Sequence, residues 1–84
     1  MKYIIKIIHH GSKLFLCKEN NKLTGSKHPF RTPEIKKFNK METTMKHIRH
    51  MKFWKDEKKI VITRNDGKEF KLSDAKIVCK LLDK

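Results

Sequence analysis

With 84 residues the chain has room for one domain and excludes a second core. It carries 22 Lys and Arg against 9 Asp and Glu, a formal net charge of +13, which predicts an anionic partner: a phosphate polymer, an acidic protein surface or anionic lipid. Hydrophobic and charged residues each make up 37%, a balance with enough apolar periodicity for a folded module rather than a disordered tail.

Residues 2–9 read as a strand with Tyr3, Ile5 and Ile7 on one face, and residues 13–18 as its hairpin partner across Gly11 and Ser12. The opposite face carries Ile4, Ile8, Phe15 and Cys17. That is more apolar than a solvated face requires, so it is either covered or a contact surface. The apolar run 3–8 is interrupted by Lys6 and is too short for a signal-peptide core or a bilayer span, so a cytoplasmic location is expected. Cys17 and Cys79 lack CxxC spacing and are expected to be reduced core thiols.

Residues 20–33 hold Asn20-Asn21, Gly25-Ser26, Pro29 and Pro33, the punctuation of a long loop with at most a short strand around Leu23. The loop is basic, with Lys22, Lys27, His28 and Arg31 and no acid. It reads as an arm that orders on a polyanion or as an ordinary solvated connection.

Thr32-Pro33-Glu34 is a helix-start signature: a Thr cap, Pro at the first helical position and an acid beside the positive end of the dipole. A helix is predicted from there to about Met51, with Ile35, Phe38, Met41, Met45 and Ile48 as its core stripe. Phe53 and Trp54, between Lys52 and Lys55, read as a pair that seals the core or stacks on bases.

Residues 58–64 form a predicted third strand with Ile60 and Ile62 inward. Asn65-Asp66-Gly67 supplies a tight turn, and residues 68–72 a fourth strand with Phe70 and Leu72 inward. Ser73 is expected to cap a final helix bearing Ile77, Val78, Leu81 and Leu82. The expected architecture is α+β: a small four-stranded antiparallel sheet of two hairpins with two helices, in the order ββαββα. Placing Gly11 over Gly67 aligns Ile4-Ile5 with Ile60-Val61, as a duplicated ββα unit would.

Opposite its apolar stripe the long helix would present Lys36, Lys40, Thr43, His47 and His50, with Lys37 and Lys46 on the shoulders. Lys76, Lys80 and Lys84 align on the last helix. If both helices lie on one side of the sheet, the two ridges can track a phosphate backbone, although amphipathic helices also show lysine to water for no further reason. Most of the positive charge is Lys, which contacts phosphate without the planar fork Arg uses on guanine, so weak sequence specificity is expected. His47 and His50 would gain charge below about pH 6.5.

No CxxC, HxxxH or HExxH spacing occurs, and His9 and His10, adjacent on a strand, are expected to point to opposite faces, so neither metal nor cofactor is expected. No GxSxG, phosphate-cradling glycine loop or paired acid cluster points to catalysis.

The leading expectation is a small non-enzymatic protein that binds nucleic acid or another polyanion through lysine–phosphate contacts. Its contact residues would be Lys36, Lys37, Lys40, Lys46, His47, His50, Lys76 and Lys80, with Lys22, Lys27 and Arg31 from the loop. The composition also resembles that of phage accessory proteins. That implies an inhibitor, anti-CRISPR-like, that docks on a host or defence nucleic-acid-processing machine, with Ile4, Ile8 and Phe15 as its apolar anchor. A third alternative is a metal-independent RNase or toxin, with His9, His10 or His28 and neighbouring lysines in acid–base roles.

Overall fold

The expected first hairpin forms from β1 (Tyr3–His9) and β2 (Ser12–Leu16) in the computed structural model, which describes residues 1–19, 22–51 and 56–82 without the side chains of 80–82. His9 opposes Ser12, so the turn is His10-Gly11, with φ of 49° and 77°. Two consecutive positive φ values mark a primed two-residue turn, easy for Gly11 and strained for His10. The turn also departs from regular strand alternation. The His9 and His10 rings, expected on opposite faces, meet edge to face with centroids 4.0 Å apart.

A short β3 (Leu23–Thr24) pairs with the outer edge of β2. On the other side, β4 (Ile60–Arg64) pairs with β1 and β5 (Glu69–Lys71) with β4. The antiparallel sheet therefore has five strands, not the expected four, in the spatial order β3-β2-β1-β4-β5. The basic 20–33 segment supplies the extra strand because the edge of β2 offers backbone groups that need partners, as where Cys17 N–H donates to Lys22 C=O at 2.8 Å. A 3-10 turn at Pro29–Arg31 follows. In the β4–β5 turn Gly67 has φ of 94°, and the Asp66 carboxylate accepts from Arg64 Nε at 2.8 Å and Lys68 N–H at 3.1 Å. The Arg64 guanidinium, then the Lys68 amide, hold the Asp66 carboxyl down at about 2.

The largest departure lies before the first helix. α1 is Met41–Arg49, so the helix starts nine residues after Thr32. Residues 33–40 instead form a loop pushed into a fork between β1 and β2, which pair only from Lys6 and Phe15 toward their turn. On one prong Lys36 N–H donates to Leu16 C=O at 2.9 Å and Lys18 N–H donates to Glu34 C=O at 2.9 Å. On the other, Tyr3 and Phe38 exchange two 2.8 Å bonds. Parted strands leave backbone groups that must find partners, and this loop provides them where a helix would have consumed its own. The Thr32 hydroxyl, expected as a helix cap, donates to His28 C=O at 3.0 Å and shares a 2.7 Å contact with Ser26 Oγ.

Register places Ile5 beside Ile62, Ile7 beside Ile60 and Ile62 beside Phe70 on one face. Both helices close over that face: Met41, Met45 and Ile48 from α1, and Leu72 and Ala75 from α2 (Leu72–Leu82). Leu16, Phe38 and Met51 complete this core. The second apolar face is covered rather than open, because Ile35 inserts against Ile4 and Phe15, with Phe30 packed alongside. Lys6 is buried on this face and pairs with Glu69. α2 begins one residue ahead of Ser73. Ile77, expected in the core, is 59% exposed, whereas Val78 packs against the core as expected and Ala75 is fully buried there. Cys17 is buried and Cys79 half-buried, and the two form no disulfide with each other. Among the described residues no helix is long and apolar enough to cross a membrane. Asn20, Asn21, Phe53, Trp54 and Lys84 lie outside the described residues.

Candidate polyanion-binding groove

An open groove of about 700 Å3 runs between the fork loop and α1, with Lys36, Lys37, Lys40, Lys46, His47 and His50 along it. Phe38, Asn39 and Thr43 fill the spaces between the basic groups, and among the described residues no carboxylate lines the groove. The expected helical ridge is thus gathered by a different route. Lys46, His47 and His50 project from α1 and its C-cap, whereas Lys36 and Lys37 come from the fork loop just ahead of the helix. Among the described residues the ion pairs are Lys6 with Glu69, Lys59 with Asp56 at 3.8 Å and Arg64 with Asp66, and none engages a groove residue.

The groove side chains differ in their commitments. Lys36 Nζ lies 5.5 Å from the Phe38 ring centroid, and the His47 ring packs on the same Phe38 at 5.4 Å. Burial, then the charges of Lys36 and His50, push the His47 imidazole below its ordinary pKa. Lys37 is turned back on its own loop, donating to Thr32 C=O at 2.7 Å and Ile35 C=O at 3.2 Å. Burial and the nearby Lys18 lower its pKa. Lys40 is the N-cap of α1 without a side-chain capping bond, and its carbonyl accepts from Thr44 N–H at 3.2 Å and Thr44 Oγ1 at 2.9 Å. A lysine there opposes the positive end of the helix dipole, whereas Lys46, His47 and His50 sit favourably at its negative end.

Two further lysines reach this end of the sheet without any periodic signal in the sequence. Lys2 Nζ donates to the side chain of Asn39 on the groove wall, and Lys18 is close enough to Lys37 to shift it. Both flank strands and meet residues of the fork loop, Asn39 and Lys37 respectively. Other expected contacts fall elsewhere. Lys76 lines a separate cleft of about 420 Å3 with Lys58, Lys71 and Glu57. The side chain of Lys80 lies outside the described residues. Lys22 is exposed beside β3, and exposed Lys27 and Arg31 belong to the segment that carries Phe30 onto the second face. Of the proposed apolar anchor, Ile4 and Phe15 are buried, and only Ile8, 39% exposed, reaches the surface. His9 and His10 sit at the far end of β1, about 20 Å along the strand from Tyr3.

Compared with known proteins, the chain matches no family model, no curated protein and no solved structure.

Proposed function

We propose that this chain is a small non-enzymatic binding protein that engages nucleic acid, or another polyanion, through lysine–phosphate contacts in the groove between the fork loop and α1. The observation that carries this reading is a wall of Lys36, Lys40, Lys46 and His50 with no carboxylate among the described residues that line it, on a chain of net charge +13. An ordinary solvated face mixes signs, since like charges at helical spacing repel. Binding would be driven by counterion release, so it carries little base specificity. Docking as a protein inhibitor would draw on the same charges, but burial of Ile4 and Phe15 removes most of the anchor that reading needs.

The test is fluorescence anisotropy of a labelled oligonucleotide titrated with the full chain over a range of salt concentrations. A steep linear fall of log affinity with log salt is expected, and charge reversal at Lys36 and Lys40 weakens every sequence alike. A shallow slope, or base-dependent losses, rejects the reading.

A further inference from the structure

We propose that Lys2 and Asn39 act as a unit in the groove: Asn39 gives its side-chain N–H groups to a phosphate oxygen of the polyanion, and Lys2 holds the amide in the orientation this needs, an inference that rests on the polyanion reading above. Neither residue belongs to a pattern of basic charge at helical spacing.

The pairing follows from register. Tyr3 and Phe38 exchange two backbone bonds of 2.8 Å as an antiparallel bridge, so one step further along Lys2 stands opposite Asn39. A pair next to a doubly bonded one brings its side chains close, and the Lys2 ammonium donates to Asn39 Oδ1. The Lys2 backbone is held from its other side. Its N–H donates to Asn65 Oδ1 at 3.3 Å and its C=O accepts from Asn65 N–H at 2.9 Å. Lys2 is thus anchored on the β4–β5 turn while its side chain reaches the fork loop.

Chemistry fixes which end of the carboxamide faces which neighbour. An ammonium has three donors and no acceptor, so it takes the Asn39 carbonyl oxygen and leaves the two N–H bonds of Nδ2 for another partner. Asn39 lines the groove with Lys36 and Lys40, where a phosphate would present acceptors. An unrestrained carboxamide is free to turn its oxygen toward the anion, and Lys2 excludes that orientation. The contact differs in kind from those of the lysines, because a neutral donor releases no counterion and contributes equally at every salt concentration. Asn39 is therefore a contact residue and Lys2 a positioning residue.

The experiment titrates the full chain and its variants into a labelled DNA oligonucleotide over a range of salt concentrations, with urea denaturation to check each fold. Asn39→Ala is expected to weaken binding by about tenfold at every salt concentration, with the salt slope and the urea midpoint unchanged. In the Lys2→Met background the same substitution should cost about twofold or less, since the amide has already lost its orientation; this comparison cancels the charge that Lys2→Met removes. Asn39→Asp keeps an acceptor for Lys2 but turns a carboxylate oxygen to the groove, so it should weaken binding more than Asn39→Ala in a fold that is no less stable. No loss from Asn39→Ala, or an equal loss in both backgrounds, overturns the proposal while leaving the groove as a polyanion site. An unmodified chain that binds neither the oligonucleotide nor heparin overturns both.

Discussion

The His47 ring lies on that of Phe38 with centroids 5.4 Å apart and planes tilted by 52°, while Lys36 approaches the same phenyl ring and His50 follows one turn along the helix. Partial burial and these positive neighbours favour the neutral imidazole, so the His47 pKa falls below 6.5 in the free protein. Unfolding removes the constraint, and between the folded and unfolded values the unfolded chain binds more protons. His47 therefore costs stability as pH drops below 6.5, and the loss is complete below its folded pKa.

A phosphate in the groove reverses the balance by favouring the imidazolium. Polyanion affinity at fixed ionic strength is thus expected to rise as pH falls from about 7.5 to about 5.5, with proton uptake on binding. His47→Gln should flatten much of this rise. Equal affinity at the two pH values in the unmodified protein would remove His47 from the contact surface.

Lys40 is a poor N-cap held in place by the Thr44 bonds to its carbonyl. Replacing it with Asp supplies a capping oxygen for the first-turn amides and a charge that suits the dipole. Lys40→Asp should stabilise the fold by about 0.5–1 kcal/mol in urea denaturation. The same change places an acid in the groove and should weaken polyanion binding by about tenfold or more, with a shallower salt slope. Stability and affinity moving in opposite directions would mark Lys40 as a residue kept for its ligand. If both fell together, its role would be structural.

Lys37 stands next to Lys36 in sequence but is engaged differently, since its ammonium already bridges the Thr32 and Ile35 carbonyls. Lys37→Met keeps the stem and removes the donor, and should destabilise the chain by about 1 kcal/mol. Lys36→Met should leave the urea midpoint nearly unchanged yet cost more in affinity. The opposite ranking in paired titrations and melts would show that Lys37 swings out to the ligand.

Both hairpins were legible in the sequence because alternating isoleucines and a glycine-containing turn are local signals, although the first turn is His10-Gly11 rather than the expected Gly11-Ser12, which shifts the register. The helix start was not. Thr32-Pro33-Glu34 satisfies every local rule for a cap, and Ile35 and Phe38, three apart, fit a helical stripe equally well. What decides the matter is non-local: β1 and β2 part beyond Lys6 and Phe15, and Tyr3, Leu16 and Lys18 then need backbone partners that residues 34–38 supply. Ile35 consequently enters the second core and Phe38 the first, an arrangement with no helical period. The groove was readable in part for an incidental reason. Lys36 and Lys37 adjoin the helix in either conformation, whereas Lys2 and Lys18 arrive only through strand pairing. The lysines of α2 and the loop were expected on the same surface, but their charges depend on the faces of separate elements, which composition does not specify.

Lys6 makes the sharpest test of the second face. Its side chain is 8% exposed among Ile4, Phe15 and Val61 on the outer side of the sheet, and its ammonium reaches over β4 to a Glu69 carboxylate that is 48% exposed. The two partners are therefore unequal, because Glu69 can turn to water and Lys6 has little room to do so. Glu69→Ala leaves a largely buried ammonium without its acceptor and should cost about 1–2 kcal/mol, less than the roughly 3–5 of a pair enclosed on both sides. Lys6→Met removes the buried charge, retains the apolar stem and frees Glu69 to hydrate, so its cost should be below about 0.5 kcal/mol. Combining the two should be no worse than Lys6→Met alone, since the acceptor matters only while the lysine is present. Urea denaturation of the three variants measures this, and a larger loss from Lys6→Met than from Glu69→Ala would show that Lys6 is held by more than the carboxylate.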